Sequence, residues 1–173
     1  DGTPDVALAD LVDGLNDDAG SDVWEYVPTP EALLGTATDV ITNAIIYKKD
    51  AVTPVGDSSA KIDESVWGNA REPIAQTFDM DGRTVSVVAN HFKSKSGDGA
   101  EPADGQGHFN ADRTAQAQSL LSFTDEIAEA SGSDDILLLG DFNAYGQEDP
   151  IDVFAQAGWT DLVAANAEGQ YTY

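Results

Sequence analysis

The chain has 173 residues, 41% of them apolar, which is enough for one domain with its own core. It has no cysteine, which excludes disulfides and thiolate metal sites, and no apolar run approaches the length of a membrane span. Eight basic residues against 32 acidic ones give a formal charge of −24, a surface that repels polyanions at long range and suits solubility or high salt.

Residues 4–16 read as a helix, with Pro4 at the first helical position after Thr3 as cap. Val6, Ala9, Leu11, Val12 and Leu15 give it an approximate apolar stripe. Residues 22–28 alternate as a strand and stop at Pro28; residues 41–48 form a second, which residues 51–55 extend or follow. Residues 56–71 show little periodicity and read as a loop. Residues 73–78 are a strand, Asp81-Gly82 a hairpin turn, and residues 83–92 the antiparallel return. That return has Val85, Val87 and Ala89 on one face and Ser86, Val88 and Asn90 on the other, the two-sided pattern of a central strand.

Residues 94–108, rich in Gly, Asp and Ser, are a loop. Asn110 or Asp112 caps a long helix that buries Ala115, Leu120 and Ile127, runs to about residue 130 and ends at Gly132. Residues 136–139 are an unbroken apolar strand, buried on both faces. Residues 150–157 form a short helix closed by Gly158, residues 159–163 a brief strand or turn, and residues 171–173 the start of another strand. This order predicts an α/β sandwich with largely antiparallel sheets.

The apolar run at Leu137-Leu138-Leu139 ends in Gly140-Asp141-Phe142-Asn143-Ala144. If the strand continues, Asp141 and Asn143 face one side together, a carboxylate and an amide suited to a hard cation and its phosphate substrate. Gly, Asp and Asn are also turn formers, and the tetrapeptide reads equally as a strand-ending turn. The few basic residues are grouped: Lys48 with Lys49, and Lys93 with Lys95 beside His91. Such spots on an acidic protein suggest a local anion site, or lysines decorating strand ends. His108 reads as an exposed loop residue, Arg113 as a brace for the long helix, and Trp24, Trp67 and Trp159 as packing residues.

Four segments line up in order: Arg71-Glu72-Pro73-Ile74 beginning a strand, Asn90-His91-Phe92-Lys93-Ser94 ending its partner, Asn110-Ala111-Asp112-Arg113 opening a helix, and Gly140-Asp141-Phe142-Asn143-Ala144. Over residues 39–162 this pattern resembles the endonuclease/exonuclease/phosphatase family, which includes deoxyribonuclease I. Asp104-Gly105-Gln106-Gly107 and Glu148-Asp149-Pro150-Ile151 are similar to its secreted bacterial nucleases. The resemblance implies a four-layer αββα sandwich, a divalent cation (Mg²⁺ foremost, Mn²⁺ or Ca²⁺ also suitable) and phosphodiester hydrolysis in DNA or RNA. It implies His91 as phosphate ligand and general acid, Asp141 as the group that orients water or helps hold metal, and Asn143 as a phosphate donor. Arg71 is implied as a phosphate contact or a group that steadies the site, and Lys93 as an extra phosphate contact. A lipid or small phosphoester, as in the sphingomyelinase branch, and a non-catalytic binding module are the alternatives. The family's opening strand-end Glu and its closing Asp and His have no counterpart here. The expectation is therefore a single domain truncated at both ends, inactive or weak alone, from a secreted or cell-surface protein, with open sheet edges that favour a homodimer.

Overall fold

The computed structural model describes residues 5–35 and 41–166. Its organising feature is the hairpin of β4 (Arg71–Met80) and β5 (Arg83–His91). Asp81 and Gly82 both take positive φ, 54° and 85°, the turn whose twist matches that of the flanking strands. Asp79 Oδ1 accepts from the Gly82 amide at 3.1 Å and fixes that turn. β3 (Thr53–Ala60) pairs antiparallel with β4, and β6 (Ile136–Asp141) pairs parallel with β5, giving the sheet order β3-β4-β5-β6. A parallel neighbour needs a crossover, and α3 (Asn110–Ser131) supplies it. Gly132, at φ 67°, ends that helix as expected.

The two faces of the sheet pack differently. Ala75 and Val88 meet Leu120, Phe123 and Ile127 of α3 and Phe154 of α4 (Asp149–Gln156), with Trp67 and Phe92 completing the cluster. On the opposite face Ile74 and Phe78 join Val27, Leu33 and Ile45. Those last residues flank a two-stranded ribbon of β1 (Trp24–Tyr26) and β2 (Ile46–Lys48), and Leu33 ends the short 3-10 helix Glu31–Leu33. The opening helix α1 (Val6–Ala19) buries only Val12; Val6 and Leu11 of its expected stripe are exposed. No described helix is long and apolar enough to cross a membrane.

Several expectations fail for identifiable reasons. Residues 56–71 are not a loop: β3 runs to Ala60 through a bulge after Val55, and α2 (Glu64–Trp67) follows. β3 is largely exposed, so it carries no apolar alternation. Asp63 caps α2, its carboxylate accepting from the Ser65 amide at 3.0 Å. Residues 136–139 are not buried on both faces. β6 is an edge of the described sheet, and Leu137 and Leu139 are 41% and 51% exposed. Neither Asn110 nor Asp112 caps α3; Phe109 holds that position, and Ala115 is only half-buried. In place of a strand or turn at residues 159–163 the chain starts α5 (Leu162–Asn166), where Asp161 accepts from the amides of Val163 and Ala164. The expected strand at residues 171–173 and the Thr3-Pro4 cap lie outside the described residues.

Candidate active site

Strand register assembles the site. Arg71, the first residue of β4, pairs with His91, the last of β5. His91 in turn pairs with Asp141, the last of β6. Directly paired residues share a face of the sheet. A guanidinium, an imidazole and a carboxylate from three separate strands thus form one row at one end of the sheet. The row sits on the face shared with Val87 and Ala89, opposite α3. His91 Nε2 lies 3.8 Å from Asp141 Oδ2, too far for a hydrogen bond, so neither group is consumed by the other. Both reach solvent, with side chains 28% and 53% exposed. A groove of about 600 Å³ runs up to them, walled by Asn43, Ile45, Phe78 and Leu139.

Two devices hold β6 to β5 at this point. Gly140 has φ 131°, and a Cβ there would lie 2.0 Å from the Asn90 carbonyl oxygen. Only glycine allows so close a backbone approach. Asn90, 2% exposed, donates from Nδ2 to the Leu139 carbonyl at 2.8 Å, while its buried Oδ1 has no partner among the described residues.

Asp141 and Asn143 do not share a strand face. β6 ends at Asp141, and Asn143 turns at φ 47°. Asp141 Oδ1 accepts from the Asn143 amide at 2.9 Å, closing an Asx turn. Asn143 Nδ2 donates to the Phe92 carbonyl at 3.0 Å, which leaves one amide hydrogen for another acceptor. The strand-ending turn is therefore real, and it also brings Asn143 back to the end of β5.

α3 fastens the segment beyond His91. Gln116, fully buried, accepts from the Lys93 amide at 2.8 Å and donates to the Val66 carbonyl at 3.1 Å. Arg113, also fully buried, donates to the carbonyls of His108 (2.6 Å), Gln106 (2.8 Å) and Lys93 (3.3 Å). Burial pushes its guanidinium pKa down, opposed by the charges of Glu148, Asp112 and Asp104. Arg113 is a brace, as its sequence position suggested, but for the 94–108 loop more than for the helix. Lys95 pairs with Glu148 at 2.5 Å, and Asp149 accepts from Gln106 and Asn110. Of the other sequence-selected residues, Lys49 pairs with Asp22, and Lys48 stacks on Trp24. Trp67 is packed in the core, its indole donating to Ser119.

The sequence did not single out Asn43, in the groove wall with its amide donated to the Glu72 carbonyl at 2.8 Å, or the pinning role of Asn90. An asparagine inside an otherwise apolar β run was the available signal in both cases. Among the described residues no group of three or more His, Asp or Glu side chains is placed to hold a metal ion. A divalent cation takes six or more oxygens, and Asp141 is the one carboxylate in the row. These residues alone do not make a complete metal centre.

The same fold occurs in solved proteins. The human Nocturnin catalytic domain, solved with a bound sulfate anion, superposes with a TM-score of 0.56 at 22% identity, over 75% of this chain and 46% of its own. A protein of the endonuclease/exonuclease/phosphatase family from Bacteroides thetaiotaomicron gives 0.57 at 14% identity, over 87% of this chain and 50% of its own. The fold is that of the endonuclease/exonuclease/phosphatase family. Beta toxin from Staphylococcus aureus shares this fold too, at a TM-score of 0.51 and 15% identity, over 86% of this chain and 54% of its own. The chain thus spans about half the length of each of these structures. No family model matches the sequence, and no curated protein matches it. The endonuclease/exonuclease/phosphatase fold anticipated from four short motifs is met in three dimensions at identities where the likeness speaks for fold alone.

Proposed function

We propose that the row Arg71–His91–Asp141, with Asn143, is the phosphate-handling part of a phosphodiesterase site that hydrolyses nucleic acid. The observation that carries this reading is the register. It brings a guanidinium, an imidazole and a carboxylate together at one strand end, with the imidazole and carboxylate left unbonded to each other. Phosphodiester hydrolysis asks for that set: donors for the non-bridging oxygens, an acid for the leaving oxygen and a carboxylate for the water. Arg71 and the remaining amide hydrogen of Asn143 bind the non-bridging oxygens. Asp141 orients the attacking water and takes one of its protons as the water oxygen forms the new bond to phosphorus. The bond to the leaving oxygen breaks as His91 gives that oxygen a proton. Lys93, two residues from His91, draws in a neighbouring phosphate.

A divalent cation, Mg²⁺ foremost with Mn²⁺ or Ca²⁺ as alternatives, remains part of this reading; it would supply Lewis-acid charge, with Asp141 as one ligand. Export from a bacterial-type cell rests on motif resemblance alone. The test is relaxation of plasmid DNA by the chain at high concentration with Mg²⁺ or Mn²⁺. Slow cleavage that falls about 10²-fold or more in His91→Ala, and likewise in Asp141→Asn, is expected. Cleavage unchanged in both variants contradicts the reading, and cleavage of sphingomyelin without cleavage of DNA moves it to a lipid phosphoester.

A further inference from the structure

Two exposed aromatic rings lie in segments tied to the ends of the site's strands, one of them, Phe109, with its centroid 6.3 Å from that of His108. Phe109 is 39% exposed and Tyr145 is 54% exposed. Phe109 sits at φ 62°, a backbone conformation that bulky residues rarely adopt. It occupies the cap position of α3, where Ser, Thr, Asp or Asn would ordinarily stand, and it makes no capping bond. Helix capping does not account for a phenylalanine there.

Each ring carries a lysine. Lys93 Nζ lies 4.7 Å from the Phe109 centroid, and Lys95 Nζ lies 4.1 Å from that of Tyr145. Glu148 already neutralises Lys95, whereas Lys93 makes no ion pair among the described residues. The Lys93 backbone is held at both its amide and its carbonyl by α3, so this cation has a fixed origin. Lys93 is two residues from His91, and Tyr145 is two residues from Asn143. Exposed rings interleaved with cations are the chemistry of a groove that stacks bases while it grips the phosphates between them.

We propose that Phe109 and Tyr145 form a stacking ledge for the unpaired bases of single-stranded nucleic acid, with Lys93 on an intervening phosphate. The ledge rests on the phosphodiesterase reading for the position of the scissile bond. Two arguments favour a single strand over a duplex. Bases in a duplex are stacked on one another and do not offer a face to a protein ring. A duplex also carries one phosphate charge per about 1.7 Å of axis, twice the density of a single strand. Against a body of charge −24, one free lysine offsets the sparser polyanion far better than the denser one.

The test is fluorescence anisotropy with a labelled eight-nucleotide oligothymidylate and with a labelled blunt duplex, at low salt in EDTA. The chain should bind the single strand more tightly. Phe109→Leu and Tyr145→Leu should each weaken single-strand binding roughly 5- to 150-fold and leave duplex binding unchanged. Phe109→Trp, which keeps a ring at the same strained position, should retain binding, and thermal melts should show the variants folded. Equal or tighter duplex binding, leucine variants within twofold of the parent, or Phe109→Trp falling with Phe109→Leu would each overturn the ledge. Binding of diethyl phosphate, a phosphodiester with no ring to stack, followed at His91 by NMR, separates the two readings. A His91 resonance that moves with diethyl phosphate, beside single-strand binding that is lost in Phe109→Leu, upholds both readings, and single-strand binding that persists in Phe109→Leu overturns the ledge. Ring-dependent single-strand binding with a His91 that diethyl phosphate leaves stationary upholds the ledge and removes the phosphodiesterase reading.

Discussion

Gly140→Ala tests the joint on which the site depends. The added Cβ would meet the Asn90 backbone oxygen at 2.0 Å and the Asn90 carbonyl carbon and amide nitrogen at 2.9 and 3.0 Å. These are backbone atoms of a strand paired with β6, so no rotamer change relieves the overlap. Three contributions follow: about 1–3 kcal/mol for holding alanine at this φ, about 1–3 kcal/mol for steric crowding, and about 1 kcal/mol for the Asn90–Leu139 hydrogen bond lost as the strands part. Since parting relieves some of the crowding, the expected total is about 3–5 kcal/mol, a large share of the roughly 5–15 kcal/mol that holds a domain together. In urea, with a slope of about 2 kcal/mol per molar, the midpoint should fall by about 2 M. Gly132→Ala is the matched control. Its φ is 67°, but nothing lies within 4 Å of the new Cβ, so it should cost only about 1 kcal/mol. The reasoning is refuted if Gly140→Ala costs no more than Gly132→Ala.

Arg113→Met should release the 94–108 loop, because three carbonyls lose their donor; trypsin should then cut after Lys95 at least several-fold faster, and an unchanged digest would contradict the brace. Arg83 holds the Asp135 carboxyl below its ordinary value, chiefly through their 2.9 Å hydrogen bond. A lowered folded-state pKa means that this stabilisation is present above about pH 4 and is lost as pH falls through the folded value. Asp135→Asn should therefore narrow the stability gap between pH 6 and pH 3 by a small amount, the pair being exposed, and a wider gap in denaturation curves would reverse the sign of the argument. β6, an edge of the sheet among the described residues, and the exposed Leu137 and Leu139 predict self-association. Sedimentation velocity should show a dimer that Leu139→Lys reduces, and a monomer at high concentration would contradict it.

What the sequence revealed depended on the range of the signal. The β4–β5 hairpin was legible because Asp81-Gly82 is a local turn code between two β-rich runs. The long helix was legible in extent from Gly132, yet its start was not, since Phe109 stands where no capping rule would put it. β3 and α2 were hidden because an exposed edge strand shows no alternation and a one-turn helix no period. Asp63 and Asp161, both caps, were signals that could have been used. At the site, His91 and Asp141 were legible as strand-end residues, but their pairing was not. It follows from the register that α3 imposes on a parallel neighbour 50 residues away (141 − 91). The exposure of Leu137 and Leu139 was invisible for the same reason: an apolar run states what a strand can bury, not what covers it.

The most direct test of the central claim uses the chain's two histidines, His91 and His108. Their ring protons can be followed by NMR while diethyl phosphate, a phosphodiester without a base, is added. If the row binds a phosphodiester, the His91 resonances move in a saturable way, His108 stays in place, and Arg71→Ala weakens the effect. A stationary His91, or equal movement of both rings, would contradict the account.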